Sequence, residues 1–201
     1  LGSNVGDRIN NLQQAINRIF ETIGDVVSIS SVYKTASWGF ESDYFYNICI
    51  KIDTFYATRE VLNQLLVIEE SLGRIRTVSQ GYQARTIDLD VILSSEGVID
   101  KEDLKVPHPA MPDRIFVLKP LADIAGDVIH DQLQVSVKEL LVRTTDNSEI
   151  QRLDHQLHNP KENYNLSKFQ YLTIEGNIGA GKTSLSHMIA EEFNGKLVLE
   201  Q

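Results

Sequence analysis

Ala84-Arg85-Thr86-Ile87-Asp88-Leu89-Asp90-Val91-Ile92-Leu93 constrains the chain more than any other stretch. Read with a period of two it is a buried strand, with Ile87, Leu89 and Val91 on one face and Asp88 and Asp90 together on the other. Carboxylates so spaced lie roughly 6.6 Å apart and repel by about 2.5 kcal/mol at an effective dielectric of about 20. A positive group therefore belongs between them. A hard divalent cation suits the pair, because few oxygen ligands completed by phosphate oxygens and water describe a magnesium–nucleotide site better than a closed protein cage. Arg85, three residues before Asp88, is placed to reach phosphate on the same rim. The alternative is a pair of solvated acids on an exposed strand face.

The 201 residues allow one or two domains, and 42% hydrophobic residues support a sizeable core. A formal net charge of −9 argues against a general nucleic-acid or anionic-membrane binder, although a local basic rim can still hold one nucleotide. The single cysteine, Cys49, lies in the apolar run Ile48 to Ile50 and reads as a buried small hydrophobe, which fits a reducing cytoplasm. There is no run of about eighteen apolar residues and no signal-peptide pattern, so nothing points to a membrane or to secretion. Leu1-Gly2-Ser3-Asn4 reads as the end of a strand and a turn, and Leu197 to Leu199 as a strand just finished, so both ends are expected to be cut.

Asp7 is a good N-cap for a helix to Ile23, with Ile9, Leu12, Ile16, Ile19, Phe20 and Ile23 as its apolar stripe and Gly24 closing it. Extended segments are expected at Val26 to Lys34 and Tyr46 to Thr54. Thr58 is the expected cap of a second helix that stops at Gly73. If a strand ends at Leu1, the order is strand, helix, strand, strand, helix, strand. That order predicts an α+β, ferredoxin-like antiparallel sheet with helices on one face. Helices near Phe116 to Ala125 and Val137 to Val142 would decorate it, the latter capped by Ser136 with Glu139. Residues 144–168 are polar and read as a linker, partly helical around Ile150 to Leu157. The expected division is thus a domain at 1–143, the linker, and a second segment at 169–201.

In that segment Phe169 to Glu175 is strand-like, and a helix to about Phe193 follows Gly176-Asn177-Ile178-Gly179-Ala180-Gly181-Lys182-Thr183. This fits the G-x-x-x-x-G-K-[ST] phosphate-binding loop in its required strand–loop–helix context. Gly176, Gly179 and Gly181 let backbone N–H groups close around phosphate, Lys182 adds a cation, and Thr183 offers a hydroxyl to magnesium.

From Leu1 to about Val142 the chain resembles the 6-hydroxymethyl-7,8-dihydropterin pyrophosphokinases. The resemblance rests on Gly2-Ser3-Asn4, Tyr33-Lys34-Thr35, Asn47, Glu69 with Gly73-Arg74-Ile75-Arg76, Arg85 to Asp90, and Val106-Pro107-His108 with Arg114 and Phe116. It implies attack of the pterin hydroxymethyl oxygen on the β-phosphorus of ATP, with release of AMP. Asp88 and Asp90 would hold Mg2+, and Arg74, Arg76, Arg85 and Asp90 would be catalytic, the first two on a loop that closes over the reactants. Glu69, Arg85, Val91, His108 and Arg114 would bind ATP. For the pterin, Phe45 and Phe116 would stack, Asn47 would read the ring edge, and Thr35, Ala36 and Trp38 would form the wall. The chain departs from the family at Gln83-Ala84, where Gly-Pro is usual, at Tyr82, and at Asp103, where some members are basic and where Lys105 is the expected substitute.

Phe169 to Gln201 resembles the start of a deoxynucleoside kinase, with Glu200 matching the carboxylate that acts as base toward the sugar hydroxyl. The expected partners are therefore ATP, the pterin and, for this truncated α/β P-loop segment, a deoxynucleoside, with no nucleic acid and no membrane. Two readings from other classes remain open: a ferredoxin-like RNA-binding module, disfavoured by the charge, and a catalytically inactive interaction domain attached to a nucleoside kinase.

Overall fold

The computed structural model describes residues 1–36, 43–74, 85–163, 172–175, 180–192 and 195–196. The chain divides into two compact units, Leu1–Lys161 and Glu162–Gln201.

In the first unit, β1 (Gly2–Ser3) leads into α1 (Arg8–Thr22), whose N-terminus is capped as expected: the Asp7 carboxylate accepts the Asn10 N–H at 3.1 Å. Leu12, Ala15, Ile16 and Ile19 form its buried stripe. Each of the two expected long strands is broken once. The first becomes β2 (Asp25–Ile29) and β3 (Val32–Thr35), the second β4 (Phe45–Asn47) and β5 (Ile50–Asp53). At the break the Ser30 N–H donates to the Cys49 carbonyl, while the Cys49 N–H donates to the Ser30 hydroxyl, each at 2.9 Å. A serine hydroxyl thus satisfies the buried donor where the ladder ends. Gly24 is required by close approach, since a Cβ there would lie 2.2 Å from the Asp53 carbonyl oxygen.

Thr58 opens α2 (Thr58–Ser71) without capping it, a correction to the sequence reading. The cap position is Ala57. The Thr58 N–H and hydroxyl instead donate to the Glu96 carboxylate at 2.5 and 2.8 Å, and Glu60 accepts the Ala57 N–H. An unexpected hairpin follows, β6 (Ile99–Lys101) and β7 (Leu104–Val106), then α3 (Ile115–Ala125) and α4 (Val137–Arg143). On α4 the Ser136 hydroxyl accepts the Glu139 N–H, as expected.

Residues 144–161 differ most from expectation. Instead of a linker with helical character, Ile150–Leu153 is a strand, β8, antiparallel to β3 with Thr35 opposite Ile150. The largest sheet runs β1-β4-β3-β8, and β2 pairs with β5 separately. Beyond β8, His158 and Gln13 exchange two hydrogen bonds, and the Asn159 amide donates to the Val26 carbonyl. A helical turn, α5 (Pro160–Asn163), begins after them, and Lys161 pairs with Asp25. Three spaced apolar residues, Ile150, Leu153 and Leu157, suffice once an open strand edge offers partners, which composition alone does not reveal.

The apolar residues form two cores. One joins α1 and α2 with Val26, Val32, Ile48, Ile87 and Leu89; the other joins α3 and α4 with Cys49 and Met111. Ile48 and Cys49 are consecutive and serve different cores, so helices lie on both faces of the strands rather than on one. Among the described residues no helix is long and apolar enough to cross a membrane.

In the second unit, α6 (Lys182–Glu192) begins directly after Gly181, whose φ is +77°. Residues 172–175 do not form the expected strand. Gly176, Gly179 and Glu200 lie outside the described residues, as do Trp38 and Arg76.

Candidate active site

Gly2-Ser3-Asn4, where the structure has strand β1 in place of the expected turn, holds the acidic stretch. Gly2 and Asp88 exchange backbone hydrogen bonds at 2.9 and 2.8 Å. Asn4 takes the Arg85 N–H on its side-chain oxygen at 2.8 Å and donates its own N–H to the Arg85 carbonyl at 3.2 Å. A third tie comes from α2, where the Glu69 carboxylate accepts the Leu89 N–H at 2.7 Å. Among the described residues 85–93, pairing with β1 is confined to one bridge, Gly2 with Asp88, so the expected strand is not formed there as an element. The alternation survives nevertheless: Ile87 and Leu89 are buried, Asp88 is partly buried and Asp90 is exposed.

Positive groups do sit beside Asp88. Arg74 and Arg85 each place Nη1 on the same carboxylate oxygen, at 2.6 and 2.8 Å. Arg74 also bonds Glu69, which is only 1% exposed and stands behind the acidic stretch. Glu69 ties helix, arginine and acidic segment into one network.

A cleft opens in front of this network. Its lining brings together ten residues singled out from the sequence: Thr35, Ala36, Phe45 and Asn47 from the β3–β4 side, Arg85, Asp88 and Asp90 from the acidic stretch, and His108, Arg114 and Phe116 ahead of and within α3. Glu69 and Val91 do not line it; Val91 packs against the first core. Sequence reasoning missed Ile92 and Cys49, although period two carried the signal: Ile92 follows Asp88 and Asp90 on their face, and Cys49 follows Asn47. Leu1, Gly2, Ile48 and Val117 complete the lining.

Local bonds fix the chemistry of several groups. The Asn47 amide donates to the Thr35 hydroxyl at 2.9 Å, while its oxygen lies 3.0 Å from where a Cβ on Gly2 would be. Only glycine leaves that amide its place. His108 Nδ1 accepts the Ala110 N–H, so the proton of the neutral ring resides on Nε2. The Arg114 guanidinium lies 5.7 Å from the Phe116 ring centroid. Burial pushes the Cys49 thiol up to about 11. Asp103, the departure from the family's basic position, is paired with Arg59, and Lys105, its expected substitute, with Asp100.

Among the described residues no cluster of three metal-ligating side chains occurs. Two carboxylates on one cleft wall nonetheless suit Mg2+, which takes one or two protein carboxylates and completes its shell with water and phosphate.

In class, this is an α+β domain whose cleft combines hard oxygen ligands and guanidinium groups with aromatic rings and a buried amide. The family model for 7,8-dihydro-6-hydroxymethylpterin-pyrophosphokinase (HPPK) matches residues 1–126. The chain is 37% identical over 146 residues to the 2-amino-4-hydroxy-6-hydroxymethyldihydropteridine pyrophosphokinase of Aquifex aeolicus, covering 72% of this chain and 89% of that one. It is 42% identical over 130 residues to the Bacillus subtilis protein of the same name, covering 64% and 77%. A folic acid synthesis protein, fol1, of Pneumocystis carinii is 35% identical over 147 residues, 73% of this chain and 20% of that much longer one. The chain belongs to the HPPK family.

Proposed function

We propose that residues 1–161 transfer pyrophosphate from ATP to 6-hydroxymethyl-7,8-dihydropterin as a step in folate synthesis. The hydroxymethyl oxygen bonds to the β-phosphorus as the bond from that phosphorus to the α,β-bridging oxygen breaks; AMP leaves with the electron pair, and the hydroxyl proton passes to water. The observation that carries this reading is the meeting, in one cleft, of Asp88, Asp90 and Arg85 with Thr35, Phe45, Asn47 and Phe116 from distant parts of the chain.

Asp88 and Asp90 would hold Mg2+, which when bound neutralises phosphate charge. Arg85, Arg114 and His108 Nε2–H bind phosphate and nucleotide. Arg74, already beside Asp88, turns to the phosphates as charge develops there. Phe45 and Phe116 stack on the pterin and Asn47 reads its edge, with Ala36 in the wall. Glu69 and Val91 act on ATP through the segment they hold. Arg76 and Trp38 enter on family resemblance alone.

The decisive test is AMP release from magnesium-ATP with and without the pterin, beside Asp90→Ala. Pterin-dependent AMP that disappears in the variant supports the assignment. A folded, ATP-binding chain that releases none would refute it.

For residues 169–201 we propose the opening of a deoxynucleoside kinase, supported by the phosphate-loop sequence and by α6 starting at Lys182 after a left-handed Gly181. Gly176, Gly179, Gly181 and Lys182 would cradle phosphate, Thr183 would reach magnesium and Glu200 would be the base. A chain extended at the C-terminus should phosphorylate a deoxynucleoside and lose that activity on Lys182→Ala; turnover unaffected by the change would overturn the reading. A cytoplasmic setting is proposed for both.

A further inference from the structure

The N-terminus of α3 carries two cleft residues, Arg114 at the cap position and Phe116 in the first turn, yet it has no local cap. Arg114 is extended and its side chain caps nothing. The acceptor comes from elsewhere: Asp146 Oδ2 takes the Ile115 N–H at 2.9 Å. Asp146 is itself held, its other oxygen accepting the Ser148 N–H at 2.9 Å and the Ser148 hydroxyl, and its own N–H donating to Thr144 Oγ1. Burial works against its ionisation, but the bonds from Ser148 and Ile115 outweigh it and hold the carboxyl below its ordinary range. A carboxylate therefore faces the positive end of the helix. Four residues further on, Ile150 pairs with Thr35 on the opposite wall of the cleft.

We propose that Asp146 is a positioning residue for the cleft, the centre of a brace, residues 144–150, that fixes Arg114 and Phe116 on one wall relative to Thr35 and Asn47 on the other. The brace lies beyond the stretch that the family model matches. Its consequence for substrates rests on the reading of the cleft given above. The contacts that α3 and β8 make with Asp146 and β3 do not depend on that reading.

The full chain, Asp146→Ala, Asp146→Asn and Ser148→Ala are titrated by calorimetry with magnesium-ATP and, separately, with 6-hydroxymethyl-7,8-dihydropterin. Thermal midpoints and pterin-dependent AMP release are measured on the same samples. Loss of the cap should weaken binding roughly fivefold in Asp146→Ala, with kcat at saturation unchanged. Asp146→Asn, whose amide oxygen still accepts the Ile115 N–H, should restore affinity. Ser148→Ala should show a smaller loss in the same direction, and it carries the test if Asp146→Ala does not fold. Equal affinities in all variants, or a fall in kcat with KM unchanged, would overturn the proposal. Binding shifts as expected in a chain that releases no AMP would remove the transfer reaction and support the brace.

Discussion

At one end of the cleft, Asp88 shares one oxygen between two guanidinium groups, Arg85 is fixed through its backbone to Asn4, and Glu69 stands buried behind them. At the other end, Phe45 and Asn47 stand on β4 and Thr35 on β3, held by strand register and by the bond from the Asn47 amide to the Thr35 hydroxyl. The charged end is set by mutual neutralisation, so removing any member upsets the charge balance of the others. The ring end is set by packing, so a change there alters shape. Breaking a partly buried ion pair costs more than reshaping a wall, and variants at the two ends should differ in kind as well as in size.

The largest effect is expected at the charged end. Asp90→Ala should lower kcat by about a thousandfold, the scale of the several kcal/mol a bound cation supplies to charge stabilisation. Phe116→Ala, by contrast, should raise the KM for the pterin roughly tenfold with little change in kcat. Steady-state kinetics on the pair checks both; equal effects on kcat would erase the distinction between the ends.

Next comes Glu69→Ala, which strips Arg74 of one partner and the Leu89 N–H of its acceptor. It should cost about 3 kcal/mol of stability in denaturant unfolding, and Glu69→Gln, which keeps an acceptor for Leu89, should cost less. A Glu69→Ala protein as stable as the parent would show that the network is not needed for folding.

Gly2→Ala tests the ring end more gently. The new Cβ would meet the Asn47 oxygen at 3.0 Å and Phe45 at 3.7 Å. The pterin KM should rise a few-fold, on the scale of a modest repacking cost, while the KM for ATP stays put. An equal rise for both substrates would place the disturbance in the acidic stretch that Gly2 also pairs with.

The smallest effect concerns Cys49, on the cleft lining but only 7% exposed. Burial raises its thiol from 9.0 to about 11, so it should react slowly with thiol reagents until the pH approaches that value. The sign for stability follows: the folded state holds the proton more tightly, so this contribution is complete below the unfolded value and is lost as pH rises through the folded one. Chemical unfolding between pH 8 and 11, beside Cys49→Ala, measures it; parallel curves for the two proteins would contradict it.

Most of the site was legible because its signals are local. Two aspartates at spacing two, the Gly-Ser-Asn motif and the residues of the His108 to Phe116 run are read without knowing their partners, and period two would also have added Ile92 and Cys49. The Asp7 cap and the apolar stripe of α1 were equally plain. What escaped depends on partners far along the chain. The Thr58 N–H and hydroxyl are taken by Glu96, a residue 38 positions away. The breaks in the long strands depend on a serine hydroxyl meeting a cysteine N–H across the sheet.

The sequence by itself determined the four helices α1 to α4 and the two main extended segments of the first unit, the face on which Asp88 and Asp90 point, and the family, because period, caps and motif spacing are properties of neighbouring residues. Tertiary structure decided that Asp88 is neutralised by Arg74 and Arg85, that Glu69 works from behind the cleft, and that residues 144–161 complete the sheet edge and brace α3. Those outcomes turn on which acceptor lies within about 3 Å of which donor, and chain folding settles that distance where sequence separation does not.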